Sequence, residues 1–269
     1  MRLTKLTRIA IFGPLALVSA FGQSIDAGGI VNSVTFGKGQ AVSQGSLVAV
    51  FGSQLAAATA VAASIPLATT LGDVSVTFDG VAAPITFVSA SQINVQVPWE
   101  VLGGAAGTSN VVVKNGGNSS APQPVQLGPA SPGIYATVDG HAIAVDAQDP
   151  NSDRYGKITA PRGSIPGLTT LPANVGDLLI VYATGLGPVN PAPLTGSNSM
   201  DTTRFTTVQP VVMIGGVPAN VAFAGLSPQF VGVYQLNVFV PQVPVGNAVP
   251  IQIQLGGQTS PVTTNIAIE

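Results

Sequence analysis

Apolar and polar residues alternate over short stretches along this chain, with glycine, proline and asparagine between the stretches. From Gln235 to Val240 every second residue is apolar, with Phe239 as an exception on the polar phase, and Ile251–Leu255 alternates in the same way. A period of two is typical of a strand with one face in the core. The pattern therefore predicts many short antiparallel strands.

Glycine pairs divide these runs. Asp79-Gly80 and Gly215-Gly216 lie between apolar runs, and such pairs suit two-residue hairpin turns because glycine accepts positive φ. The alanine-rich stretch from Gln54 has helical composition, but its counterpart after Leu186 is rich in proline. We therefore predict a loop over 56–70.

The sequence repeats itself in four blocks that keep one order and a nearly constant offset, which indicates two copies of one unit of about 100 residues. Turn signals about every 8–12 residues predict an antiparallel immunoglobulin-like sandwich in each copy. The fold class is therefore all-β, with tandem domains over 27–129 and 130–269 and a polar insertion at 146–175. The matching blocks are 45–55 with 176–186, 74–83 with 211–219, 92–98 with 235–241, and 116–120 with 256–260.

The N-terminus is predicted to be a secretory signal peptide over 1–22. Arg2, Lys5 and Arg8 precede an apolar stretch that is short for a membrane span, and small residues near 20–23 suit cleavage. An uncleaved anchor is the alternative. Cleavage leaves six bases against eleven acids and no transmembrane span in the mature chain. We expect a secreted, cell-surface or periplasmic location.

Composition excludes several functions. Only 7% of residues are charged, cysteine is absent and there is one histidine. The absence of cysteine excludes disulfides, thiol nucleophiles and zinc–thiolate sites, and one histidine excludes a multi-histidine metal site. The net charge of −2 provides no basic field, so we expect no nucleic-acid partner.

Five motifs in the second copy resemble the Solibacter C-terminal domain family, an uncharacterised group of domains in exported acidobacterial proteins. The resemblance covers about 130–269, and the first copy resembles the unit that often precedes this domain. It implies an Ig-like fold and export, and it carries no catalytic residue to this chain. The motifs are Ser131–Tyr135, Tyr182–Gly187, Ile214–Ala219, Ala224–Pro228 and Gly232–Pro241 in the second copy, and Ile30–Ser33, Gly45–Gly52 and Gln92–Glu100 in the first.

About two-fifths of the mature chain's charges lie in 139–162. Asp149, Asn151 and Asp153 have a spacing that supplies calcium with oxygen ligands, but Arg154 and Ala160 stand where a calcium loop needs Gly and Glu. A solvated turn is the favoured interpretation, and we expect no cofactor.

Catalytic groups are also sparse. A hydrolase that uses Asp146, Asp149 and Asp153 is a disfavoured alternative, and His141 has no nucleophile motif near it. We therefore predict a non-enzyme.

Aromatic and amide side chains provide the remaining candidates for binding. Tyr182 and Tyr234 are predicted to face the core, whereas Trp99 and Tyr155 are predicted to be exposed and are the candidates for stacking on sugar rings. The Gln-x-Asn pairs at 92/94 and 235/237 recur in both copies, either as a polar ligand face or, preferably, as bonds to a neighbouring loop.

These observations predict an exported, non-catalytic structural, adhesive or binding module. Its partner is unknown, with a surface protein or a polysaccharide as the possibilities. A carbohydrate-binding module is the principal alternative.

Overall fold

A computed structural model describes residues 22–269 of the chain, so the predicted signal peptide lies outside the described residues except for Gly22. The described chain is built from strands and one short 3₁₀ helix (Val101–Gly104), and all of its strand pairs are antiparallel. The all-β, Ig-like fold class is confirmed.

The first half of the described chain forms two sheets, which we call the N-terminal unit. One sheet has the order β1-β2-β8-β7-β3, and the other has β10-β9-β5-β4, with β11 on β9 and β6 on β5. The strands are β1 (Ser24–Asn32), β2 (Leu47–Ser53), β3 (Ala60–Val61), β4 (Thr70–Leu71), β5 (Val74–Phe78), β6 (Val81–Ala83), β7 (Ile85–Val88), β8 (Gln92–Gln96), β9 (Gly107–Asn115), β10 (Asn118–Ser119) and β11 (Gln123–Leu127).

The second half, the C-terminal unit, forms one connected set of strands in the order β12-β14-β19-β18-β17-β20-β21. Strand β13 pairs with β14, β22 with β20, and β16 with both β15 and β18. The strands are β12 (Gly133–Ile134), β13 (Ala144–Asp146), β14 (Leu178–Thr184), β15 (Val189–Asn190), β16 (Phe205–Thr206), β17 (Val211–Ile214), β18 (Val217–Leu226), β19 (Tyr234–Phe239), β20 (Gly246–Leu255), β21 (Gln258–Thr259) and β22 (Asn265–Ile268).

The predicted hairpin turns are confirmed. Asp79 and Gly80 have φ values of 46° and 83°, and Gly215 and Gly216 have 58° and 80°. Positive φ at both central residues is the type I′ geometry that joins adjacent antiparallel strands. The 56–70 segment contains only the short β3 and the first residue of β4, so the prediction of a loop rather than a helix is also confirmed.

Each unit has its own buried cluster of aliphatic side chains. Phe78, Val95 and Val113 belong to the first cluster, whereas Leu236 and Ile253 belong to the second. The alternation in β19 and β20 therefore predicted the core face correctly. The domain boundaries at 129/130 stay a prediction, although the two clusters divide near that point.

Hydrogen bonds hold the two units against one another. The Leu47 amide donates to Thr184 Oγ1 at 3.1 Å, and the Gly196 amide donates to the buried Gln96 Oε1 at 2.8 Å. Asn32 Nδ2 donates to the Ser131 carbonyl at 2.7 Å, in the connection between the units. Buried polar groups paired across a boundary resist separation, because opening the boundary leaves them without partners.

No helix within residues 22–269 has the length and apolar character needed to cross a membrane.

Candidate functional site

Trp99 is buried. Its side chain is 9% exposed and packs within the hydrophobic cluster of the C-terminal unit, although it follows β8 of the N-terminal unit. A Cβ built on Gly45 would lie 1.9 Å from the indole Cη2, so the ring lies directly on that glycine. The expectation that Trp99 is exposed is therefore wrong, and the ring offers no free face to a sugar.

Tyr155 is exposed, at 45%, as predicted. It lies in a turn of the polar insertion, where its amide donates to the Ser152 carbonyl. Its role as a ligand contact stays a prediction.

The proposed calcium residues form a local turn. Asp149 Oδ1 accepts from the Asn151 amide at 2.9 Å and from Asn151 Nδ2 at 3.2 Å, which is the bonding expected of an Asx turn. Within residues 22–269, no group of three or more acidic, histidine or cysteine side chains is arranged to hold a metal ion. Calcium binding at Asp149, Asn151 and Asp153 stays a prediction.

The polar insertion packs against the last strand. The Arg154 guanidinium donates to Glu269 and to the Pro172 carbonyl, and Arg162 donates to Glu269 at 2.8 Å. The hydrogen bond from Arg154 holds the pKa of the Glu269 carboxyl below its usual range. Backbone bonds between Ala267 and Thr159 and between Ala173 and Ala267 continue this contact. These contacts give the charge concentration a structural explanation.

Asp146 is the buried acid of this segment, at 3% exposure. Burial, followed by the nearby Asp177 carboxyl, raises the pKa of Asp146, although the Gln148 amide donates to its Oδ1 at 3.0 Å. Because protonation is favoured in the folded state, this group weakens stability as the pH rises through the raised pKa.

We expect Asp146→Asn to raise the melting temperature near neutral pH by about 2–4 °C, the shift expected for about 1 kcal/mol. The amide keeps an oxygen acceptor for Gln148 and removes the repulsion from Asp177. Melting curves of both proteins from pH 3 to 8 should coincide at acid pH and diverge above about pH 4, the unperturbed value for Asp. A variant that is less stable throughout this range would contradict the assignment.

His141 lies at the turn between β12 and β13. Its Nδ1 is 2.8 Å from Asn265 Oδ1, and its amide contacts Thr137 Oγ1 at 3.2 Å. No serine accompanies it in these bonds, so the geometry is that of a turn residue and lacks the partners of an acyl-transfer triad.

The two Gln-x-Asn pairs have the same conformation. Gln92 Nε2 donates to Asn94 Oδ1 at 2.8 Å, and Gln235 Nε2 donates to Asn237 Oδ1 at 2.8 Å. All four residues are half-buried on the outer faces of β8 and β19. The preferred prediction of bonds to a neighbouring loop is therefore wrong for these side chains. The alternative prediction, that these amides form a polar face for a ligand, requires this outer position.

An aromatic ring lies on each side of both amide pairs. Phe51 and Tyr182 are the cross-strand partners of Gln92 and Gln235, and Phe87 and Phe223 are those of Asn94 and Asn237. Tyr182 is thus half-buried on the outer face, so its predicted core position is wrong, whereas Tyr234 is fully buried as predicted. We call Phe51, Phe87, Gln92 and Asn94 the N-terminal patch, and Tyr182, Phe223, Gln235 and Asn237 the C-terminal patch.

The same irregularity positions one ring in each patch. The register of β7 on β8 shifts between Ile85 and Phe87, and that of β18 on β19 shifts between Val221 and Phe223. A bulge turns a side chain to a new direction, and bulges are common next to functional sites. Both bulges lie next to a patch phenylalanine, and sequence periodicity gives no signal for either.

An apolar groove joins the patches. It has a volume of about 540 Å³ and lies where β2 and β7 approach the 228–233 loop. Val61, which lines the groove, is the cross-strand partner of Phe87 in the N-terminal patch. Phe230 and Val233 also line a second hollow beside Tyr182, so the groove borders both patches. We call the patches and the groove together the neutral face, because every residue that forms it is uncharged. The residues that line the groove include Leu47, Val61, Ile65, Thr86, Phe230 and Val233.

Phenylalanine is concentrated outside the cores. Of the eight phenylalanines in residues 22–269, Phe78 alone is fully buried, and Phe230 is 51% exposed. Phe205 packs edge-on against Phe223 with ring centroids 5.4 Å apart, while Phe36 lies beside Phe51. Large apolar side chains usually fill cores, so half-buried and exposed rings outside the cores indicate an interaction surface.

One family model matches a segment of the N-terminal unit. Residues 30–127 match the family described as IPT/TIG domain, which is an Ig-like fold typical of extracellular structural or binding modules. The match lies within the predicted 27–129 domain. The resemblance over 130–269 to the Solibacter C-terminal domain stays a prediction. No curated protein matches the chain.

Several solved structures share low similarity with the chain. The plexin A4 extracellular region is 12% identical with a TM-score of 0.28, over 88% of this chain and 17% of its own, so the chain spans about a sixth of that structure. Domains 5–6 of the S-layer protein SbsC are 12% identical with a TM-score of 0.27, over 92% and 98% of the two chains. InvD of Yersinia pseudotuberculosis is 13% identical with a TM-score of 0.23, over 85% and 53%.

Proposed function

We propose that the chain is an exported, non-catalytic binding module that uses the neutral face to hold a partner outside the cell. The observation that carries this proposal is the continuity of the face: both patches and the groove between them are uncharged, rich in aromatic rings and shared by the two units. A binding role suits an Ig-like sandwich, in which a regular sheet presents side chains on a rigid support.

Export is supported by the sequence alone. The basic residues Arg2, Lys5 and Arg8, the following apolar stretch and the small residues near 20–23 have the order of a signal peptide. A mature chain that starts near these residues keeps the whole neutral face.

The proposal predicts that the exported chain is retained on cell-envelope or extracellular polymer of the producing organism, and that Phe230→Asp abolishes this retention. Phe230 lies in the middle of the neutral face and is half-exposed, so a carboxylate there disrupts an apolar contact without entering a core. The measurement is the fraction of purified protein that sediments with the polymer, with intact mass establishing cleavage near residues 20–23.

Leu168→Asp is the matched control, because Leu168 is as exposed as Phe230, at 53%, but lies in the polar insertion. Equal retention of the unsubstituted protein and the Phe230→Asp variant would exclude the neutral face. Retention of a full-length, uncleaved chain inside the cell would exclude export.

A further inference from the structure

We infer that the neutral face binds an extended, uncharged polysaccharide of β-1,4-linked hexopyranose units, with one subsite on each patch. This inference rests on the proposed function and adds the chemical class of the partner. It moves the carbohydrate-binding role from the buried Trp99 to the sheet faces.

The polar groups of each patch suit hydroxyl groups. Within residues 22–269 the hydrogen bonds of each amide pair use the Gln Nε2 and the Asn Oδ1, which leaves the Gln Oε1 as an acceptor and the Asn Nδ2 as a donor at the surface. A sugar hydroxyl both donates and accepts, so adjacent hydroxyls can pair with both free groups. The internal amide bond fixes the two side chains in advance, which lowers the entropy lost on binding.

The apolar groups of each patch suit the ring of the same sugar. Phe51 and Phe87 lie on opposite sides of the first amide pair, and Tyr182 and Phe223 lie on opposite sides of the second. Pyranose rings have apolar C–H faces and polar edges, so a strip of rings beside amides matches both parts. Because no charged residue lines the face, a neutral glycan is favoured over a charged one.

The duplication of the patch points to a polymer. Leu47 lies on β2, two residues from the cross-strand partner of Asn94. Its amide donates to Thr184 Oγ1, and Thr184 lies two residues from Tyr182 on β14. At about 3.3 Å per residue this path puts the patches within about 20 Å of one another, and Leu47 lines the groove between them. Two similar subsites on a continuous face fit a ligand that repeats along its length. Two separate subsites need an extended chain to occupy both, and equatorial β-1,4 linkages give an extended chain, whereas α-1,4 linkages give a coiled one.

Titration calorimetry with cellohexaose and β-1,4-mannohexaose tests the inference, with maltohexaose as the α-linked control. We expect at least one β-linked hexasaccharide to bind and maltohexaose not to bind. The variants Gln92→Ala and Gln235→Ala should each weaken binding about 10–100-fold through lost bivalency, and the double variant should abolish it. Both changes lie on half-buried surface positions, so unchanged melting temperatures are the check on folding.

The inference would be overturned if neither of the two β-linked hexasaccharides bound at about 1 mM. Equal binding of maltohexaose, or unchanged binding by the double variant, would overturn it as well. A dimer that the same variants dissociate in analytical ultracentrifugation would assign the face to a second copy of this chain. If Phe230→Asp abolishes retention on native polymer while both hexasaccharides fail to bind, the proposed function stands and only the glycan class fails.

Discussion

Replacing Gly185 by alanine is expected to destabilise the protein by about 3–5 kcal/mol. Gly185 follows β14 with a φ of +80°, and a Cβ there would lie 1.9 Å from the Ser131 carbonyl oxygen. Positive φ costs an alanine about 1–2 kcal/mol, and the backbone clash adds an overpacking cost. Because Ser131 also accepts from Asn32, the displacement should disturb the contact between the units.

Gly176→Ala provides the matched control. Gly176 has a φ of +91°, but nothing lies within 4 Å of the position of its Cβ, so it measures the conformational cost alone. Thermal unfolding should show a loss of about 1–2 kcal/mol for Gly176→Ala and a loss of about 3–5 kcal/mol for Gly185→Ala. Equal losses would show that the Ser131 contact relaxes easily and does not fix the connection between the units.

The sequence predicted those features of the fold that local rules determine. Positive φ at Asp79-Gly80 and Gly215-Gly216 follows from turn chemistry, and the buried positions of β19 follow from a period of two. The internal repeat predicted two units, because four blocks that recur in one order at similar spacing describe one architecture twice.

The candidate site was predicted only in part, because its geometry depends on pairing between distant strands. The Gln-x-Asn repeat was visible, but the aromatic partners are set by register and by two bulges, which leave no periodic signal. Tyr182 was assigned to the core because its strand is apolar on both phases. In such a strand, periodicity does not distinguish the core face from an apolar outer face.

Trp99 was misassigned for a related reason. Its environment comes from the other unit: the Trp99 amide donates to Thr195 Oγ1 at 3.1 Å, and that hydroxyl donates to Glu100 at 2.6 Å. A single bulky residue after a strand has no local signal that predicts a partner about a hundred residues away. The structure assigns it to the contact between the units.

Trp99→Ala is therefore expected to destabilise the contact between the units by about 3–5 kcal/mol, the range for truncating a buried aromatic side chain. In calorimetry we expect the unsubstituted protein to unfold in one transition and the variant to unfold in two, because each unit keeps its own aliphatic cluster. Trp99→Phe should cost much less, since the indole Nε1 has no hydrogen-bond partner within residues 22–269. Tyr155→Ala, at an exposed position, should change stability by less than about 0.5 kcal/mol. A Trp99→Ala variant that melts like the unsubstituted protein would contradict the role of Trp99 in the contact between the units.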